Sequence, residues 1–229
     1  MAKMGKVAKH IPNSMTLFNI IIGLSAIFFS MAHDYQKAGG LILISVIVDT
    51  FDGYVARMLK STSKFGGYMD TVSDFLAFAM AASILMVNEF GAYPGVAVLF
   101  VVASVARLIY FLRTKNSTHF YGVPTTIAGG LLATIAILRP QVLPEWEMSV
   151  AMSLMMFVLS MLMLTRQRYY RIEIRKRKTL TMVLAVYASL FAISFNAFMI
   201  STMAMFIGYI CLGWLPWLRK KEVDSLIPE

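Results

Sequence analysis

The sequence predicts an all-α protein, a polytopic bundle of about eight membrane-spanning helices. Three observations carry this prediction. The 229 residues are 59% hydrophobic and only 14% charged, the composition of an integral membrane protein. Apolar runs near span length recur along the chain, separated by short polar connections. The basic residues of those connections fall almost entirely on one side once the runs are threaded through a membrane.

A span needs about 20 mostly apolar residues. Four runs qualify in order, 15–32, 38–59, 68–87 and 94–112, and two shorter ones follow at 123–138 and 148–164. The last apolar stretch, 179–218, would be about 60 Å long as one helix, twice the hydrocarbon thickness. It is expected to form two spans broken near Asn196. Eight spans put both ends of the chain on one side. With the first end cytoplasmic, Lys3, Lys6, Lys9, Arg57, Lys60, Lys64, Arg113, Lys115, Arg219, Lys220 and Lys221 are inside, as are the seven basic residues of 166–178, and only Lys37 and Arg139 are outside. Seven spans would strand the last basic cluster outside. The net charge of +9 is then a matter of topology, and no nucleic-acid partner is called for. Trp214 and Trp217 suit an interfacial aromatic belt. The single cysteine, Cys211, excludes an internal disulfide. The first apolar run is too long for a leader's apolar segment and lacks a small-residue cleavage site, so no cleavable leader is expected. The organisation expected is a catalytic bundle over 1–165 with about six spans, a basic cytoplasmic loop over 166–178, and two spans with a short tail over 179–229.

Four aspartates break the apolar pattern. Asp49 and Asp52 are spaced i,i+3, and Asp70 and Asp74 are spaced i,i+4, so each pair shares one helix face. A charged residue at the centre of a span costs roughly 2.5–3.5 kcal/mol on insertion scales. Lone aspartates at helix ends are commonly caps, but a quartet demands compensating positive charge. The segment between the pairs holds Ser61, Thr62, Ser63, Gly66 and Gly67, which are turn formers. Two antiparallel helices would bring the two carboxylate faces together as an oxygen-rich site for hard divalent cations.

Written as a pattern, the stretch is Asp49-x-x-Asp52-Gly53-x-x-Ala56-Arg57, eight residues, then Gly66-x-x-x-Asp70-x-x-x-Asp74. This resembles the signature of the CDP-alcohol phosphotransferases at every fixed position, and the similarity extends over about the first 165 residues. Members of that family couple a CDP-linked donor to an alcohol within the membrane and release CMP. The resemblance implies two Mg²⁺ or Mn²⁺ ions, one held by Asp49, Asp52 and Asp70 and the other surrounded by Asp49, Asp70 and Asp74. It makes Asp74 the general base, and it places the CDP donor along Gly53, Ala56, Arg57 and Gly66. Small residues on the Asp49 stripe would leave room for a nucleotide; close helix packing is the alternative use of Gly53 and Ala56.

The acceptor is read from two further segments. Pro12-Asn13-Ser14-Met15-Thr16, with Asn19 and Gly23, is similar to the opening of membrane-type phosphatidylserine synthases, although Pro12 and Asn13 also suit an ordinary helix start. Arg107, followed by Phe120-Tyr121-Gly122-Val123-Pro124, resembles the arginine and Phe-x-Gly-Leu-Pro element of the same subfamily. Arg107, Arg113, Tyr121 and Pro124 are therefore candidate acceptor or phosphate contacts. The chain departs from that subfamily at Phe78–Ser83, where a Gly-Val-Ala-Pro-like stretch is usual, and at Thr125-Thr126, where a proline is usual. A buried arginine pairs with something and its fork suits a carboxylate or a phosphate; snorkelling to the interface is the alternative. The implied partners are a CDP-diacylglycerol-type donor (ester- or ether-linked), L-serine, membrane lipids and a second copy of the chain. Glycerol 3-phosphate or inositol phosphate is the alternative acceptor, with Arg113 and Lys115 available for its extra charge. The expected location is the plasma membrane of a prokaryote, with the site facing the cytoplasm.

Other features are assigned plainer roles. The basic loop could gather anionic lipid, at about 1 kcal/mol per residue, or serve as a topology anchor. His10, His33 and His119 fall in separate connections and form no cluster. No phosphate loop, dinucleotide fingerprint, hydrolase elbow or zinc spacing occurs. The eighteen methionines suit packing or lipid contact. A divalent-cation transporter would spread its acids through the membrane depth and often repeat internally. Here Asp34, Glu89, Glu145 and Glu147 map to the surface opposite the quartet.

Overall fold

The computed structural model describes residues 2–59, 63–113, 120–138, 144–165, 168–169 and 195–212. The elements in order are α1 (Ala2–Met31), α2 (Tyr35–Met58), α3 (Lys64–Asp74), a π-helical segment (Phe75–Met80), α4 (Ala81–Phe90), α5 (Pro94–Arg113), β1 (Phe120–Tyr121), α6 (Thr125–Leu138), α7 (Glu145–Leu164), β2 (Arg168–Tyr169) and α8 (Phe195–Leu212). Five helical stretches are long and apolar enough to cross a membrane, and α6 and α8 are shorter apolar helices. The chain is an all-α membrane bundle, as expected. Its one departure among the described residues is the antiparallel β1–β2 ladder, pairing Phe120 with Tyr169 and Tyr121 with Arg168.

Seven of the eight expected spans coincide with helices. The remaining one, the seventh in order, starts at 179 and lies outside the described residues, as do Trp214, Trp217 and most of the basic loop. α8 begins at Phe195, beside the expected break at Asn196.

The bundle is apolar outside and partly polar inside. On α1 the side chains of Leu17, Phe18, Ile21, Leu24 and Phe28 are exposed, whereas Thr16, Asn19, Ala26 and Ser30 are buried. In lipid, with apolar solvent outside, buried polar groups pair across helices. Ser45 accordingly donates to the Asn19 side chain, joining α2 to α1. Phe78, Phe100, Leu132, Met156 and Phe206 fill the fully buried centre.

The third span is a continuous helix in three pieces, starting earlier than the expected residue 68. Ser63 caps it, accepting the Gly66 N–H at 2.9 Å. Gly66 and Gly67, expected in a turn, therefore lie in the first turn of α3. The π segment begins directly after Asp74. Each extra residue in a turn rotates the downstream helix by about 100° at 3.6 residues per turn. The aspartate face of α3 thus does not continue along α4, which buries Ala81, Ala82, Leu85 and Met86 instead.

Two glycines clamp the π segment from different sides. A Cβ on Gly23 of α1 would stand 3.0 Å from the Ala77 backbone, and one on Gly129 of α6 would stand 2.6 Å from the Phe78 carbonyl oxygen. At the end away from the aspartates, Tyr35 Oη donates to the Asn88 carbonyl and Ser149 Oγ to the Gly91 carbonyl. Asp34, Glu89, Glu145 and Glu147 all sit at helix ends on that side. There the Lys37 ammonium, 2.6 Å from Asp34, holds that carboxyl below its usual range.

Candidate metal and substrate site

The site forms between the last turns of α2, the second half of α3 and the start of α6. Asp49 lies nine residues before the end of α2, and Asp70 and Asp74 lie on one face of α3. With α2 and α3 both packed on α1, one carboxylate oxygen of each of Asp49, Asp70 and Asp74 lies within 4.8 Å of the others, and all three residues are half-buried. Asp49 and Asp74 are close enough to act on each other directly. Asp52 stands beside this trio, within electrostatic reach of Asp49. It is buried and accepts a hydrogen bond from Thr16 Oγ1 at 3.2 Å. The structure therefore brings three of the four aspartates together and sets the fourth against α1.

Arg107 of α5 supplies the positive charge. It is 8% exposed, and its Nη1 donates to Thr125 Oγ1 at 3.1 Å. It acts electrostatically on Asp74, and Tyr209 of α8 is within the same reach of Arg107. Its Nε is sealed from solvent and donates to no described residue. Burial excludes the snorkelling alternative. Among the described residues the converging carboxylates are met by the Arg107 guanidinium through Asp74 alone, an imbalance that low-dielectric surroundings make costly. All-oxygen donors at this separation suit Mg²⁺ or Mn²⁺. Asp74 Oδ1 is likewise buried and accepts no hydrogen bond from described residues, which leaves it open to a ligand. The residues present thus fit divalent metal.

The remaining candidates lie around this cluster or along the helices leading from it. Gly53 is half-buried, one turn beyond Asp49 on α2. Ala56 and Arg57 continue α2, but their side chains, like that of Tyr121, lie outside the described residues. Gly66 faces α1: a Cβ there would stand 3.2 Å from Asn13 Oδ1. Arg113 is exposed in the last turn of α5, about 9 Å along the axis from Arg107 at 1.5 Å per residue. Pro124 is half-buried and opens α6, its carbonyl accepting the Ile127 and Ala128 N–H groups at 3.1 Å. The stretch before it is pressed onto α7: Gly122 has φ +72°, a Cβ there would collide with the Met163 carbonyl oxygen, and the Val123 N–H donates to the Leu162 carbonyl.

Sequence reasoning missed two hydrogen bonds. Thr16 reads as part of a helix start, yet it holds Asp52. Thr125-Thr126 reads as a departure, yet Thr125 holds Arg107. The available signal for Thr16 was its position, three residues before Asn19 on the face that α1 buries. Nothing in the sequence marks Tyr209.

Comparison with known proteins agrees with this architecture. The chain is 33% identical over 135 residues to a CDP-diacylglycerol–serine O-phosphatidyltransferase of Helicobacter pylori, covering 56% of this chain and 57% of that protein. It is 36% identical over 124 residues to one of Methanocaldococcus jannaschii, covering 53% and 57%. It is 29% identical over 152 residues to one of Mycobacterium bovis, covering 61% and 53%. The chain thus spans a little over half the length of each of these relatives. The sequence model of the CDP-alcohol phosphatidyltransferase family matches residues 9–157, a region holding all four aspartates, Arg107 and the opening of α6. With two-thirds of its length matched and its helices arranged as the motif requires, this integral membrane protein belongs to the CDP-alcohol phosphatidyltransferase family.

Proposed function

We propose that the protein transfers a phosphatidyl-type group from a CDP-diacylglycerol-like lipid to the hydroxyl of L-serine, releasing CMP. The observation that carries this is the Asp49–Asp70–Asp74 cluster with the buried Arg107 beside Asp74. The names of the relatives support serine as their acceptor.

Asp49, Asp52, Asp70 and Asp74 would hold two divalent ions, which when bound neutralise the donor diphosphate and stabilise the departing CMP. The donor nucleotide lies along the Gly53 stripe of α2, where the missing side chain gives it room. Asp74 accepts the proton of the attacking serine hydroxyl as the new P–O bond forms. The bond from phosphorus to the bridging oxygen breaks, and CMP leaves with that electron pair. A base so placed contributes roughly 10²–10⁴ in rate. Arg107 offers its free Nε to the serine carboxylate, while Thr125 fixes the other side of the guanidinium. A phosphate-bearing acceptor would ask for further cations at this depth, and Arg113 is exposed at the end of α5 instead. The site faces the cytoplasm of a prokaryotic plasma membrane, the protein works as a homodimer, and residues 1–165 form the catalytic bundle.

Purified protein in nanodiscs, given CDP-diacylglycerol, Mn²⁺ or Mg²⁺ and labelled serine, should form labelled lipid and CMP in equal amounts. Turnover with glycerol 3-phosphate or inositol phosphate, and none with serine, would reject the acceptor. Mn²⁺ flux into liposomes without CMP release would reject the transferase and favour transport.

A further inference from the structure

We infer that Asn19 and Ser73 hold one internal water molecule between α1, α2 and α3, beside the aspartates on the side away from the α2–α3 connection.

The first ground is burial without partners. Asn19 is fully buried and Ser73 is 1% exposed. The Asn19 side-chain oxygen accepts from Ser45 of α2, but its Nδ2 donates to no described residue, and Ser73 Oγ has no hydrogen-bond partner among them either. Groups taken out of water in this way carry the full cost of desolvation unless something meets them. The second ground is the direction of the Ser73 hydroxyl. A serine or threonine inside a helix commonly donates to the carbonyl four residues back. Thr71 of the same helix does so to Gly67, and Ser104, Thr134 and Ser160 do so in theirs. Ser73 does not, so its hydroxyl is turned away from its own backbone.

The third ground is that the two orphaned groups meet. α1 and α3 run the same way: Gly66 lies against Asn13, and further along Gly23 lies against the Ala77 backbone. Asn19 is four residues before Gly23, and Ser73 is four before Ala77. One helical turn back from a direct contact, on the facing sides of parallel helices, the two side chains stand at one level. Their chemistry selects the occupant. An amide N–H is a donor, so a cation is not the ligand, and an apolar group would leave both atoms unmet. Water accepts from Nδ2 and bonds Oγ at the same time, which is the usual role of buried water. The chain Ser45–Asn19–water–Ser73 then ties both aspartate-bearing helices to α1. Ser45 is one turn before Asp49, and Ser73 adjoins Asp74.

The test is magic-angle-spinning NMR of the ¹³C,¹⁵N-labelled protein in nanodiscs, reading magnetisation transfer from water protons to side-chain amides. The Asn19 amide, assigned through its backbone, should show a water contact. Ser73→Val removes the hydroxyl and puts methyl groups in its place. It should lose that contact, while the Asn88 amide, which donates to the Ser30 carbonyl, is unchanged. A wild-type Asn19 amide with no water contact would overturn the inference, and so would a contact that persists undiminished in Ser73→Val. If Ser73→Val does not fold, the wild-type spectrum decides by itself.

Discussion

Adding one methyl group at Gly129 should damage the site from a distance. Its Cβ would stand 2.6 Å from the Phe78 carbonyl oxygen and 2.8 Å from Phe78 Cα, where ordinary contact begins at 3.4 Å. Both sides of the clash are helix backbone, so no side chain can rotate away. α6 and the π segment must separate by about 1 Å to restore an ordinary contact distance. Overpacking of this kind costs about 1–3 kcal/mol, and exchanging Gly for Ala within a helix returns roughly 1 kcal/mol. The net loss of stability is then at most about 2 kcal/mol. Function should suffer more. Phe78 lies four residues after Asp74 in a continuous helix, and a misplacement of about 1 Å can cost on the order of 10²-fold in rate. Gly40→Ala and Gly208→Ala are the controls, since a Cβ at either meets nothing within 4 Å. CMP release and Mn²⁺ affinity should fall sharply in Gly129→Ala and stay near wild type in both controls, with all three folded by thermal melt. A Gly129→Ala protein that turns over and binds Mn²⁺ like Gly40→Ala would show that the clamp on the π segment does not hold the aspartates.

Three other outcomes are expected. Asp74→Asn should abolish turnover while retaining CDP-lipid binding by filter assay, whereas Asp49→Ala should lose metal and donor binding together; more than a few per cent activity in the former would remove Asp74 as the base. Arg107→Lys keeps the charge and loses the planar fork, so the KM for serine should rise at least tenfold with a smaller change in the KM for CDP-lipid; an equal rise in both would assign Arg107 to the donor. Gly122→Ala must abandon φ +72° and displace the Met163 carbonyl, so its thermal midpoint should drop by several degrees; an unchanged midpoint would show that the β1–α6 connection is free to move.

The spans and the aspartate faces were legible in the sequence because both depend on short-range periodicity. A run of apolar residues must hide its backbone polar groups in a helix whatever its neighbours are. Spacings of three and four put two side chains on one face in any helix. The two pairs, Asp49 with Asp52 and Asp70 with Asp74, were therefore visible before any packing was known. The role of Thr16 was not, because it contacts an aspartate on another helix. A threonine near a helix start has a local explanation, capping, which conceals any contact with another helix. The π segment was hidden as well, since Phe75–Met80 has the composition of ordinary span and its widened turn is stabilised by the glycines packed on it from α1 and α6.

By itself, then, the sequence determined the all-α membrane class, the carboxylate motif and the family resemblance that implies the chemistry, all of which rest on order along one chain. Only the tertiary structure decided that Asp52 leans on α1 while the other three aspartates converge, and that Arg107 is buried against Thr125 instead of snorkelling. Those are distances between helices far apart in sequence, and they depend on which small residues let which backbones approach.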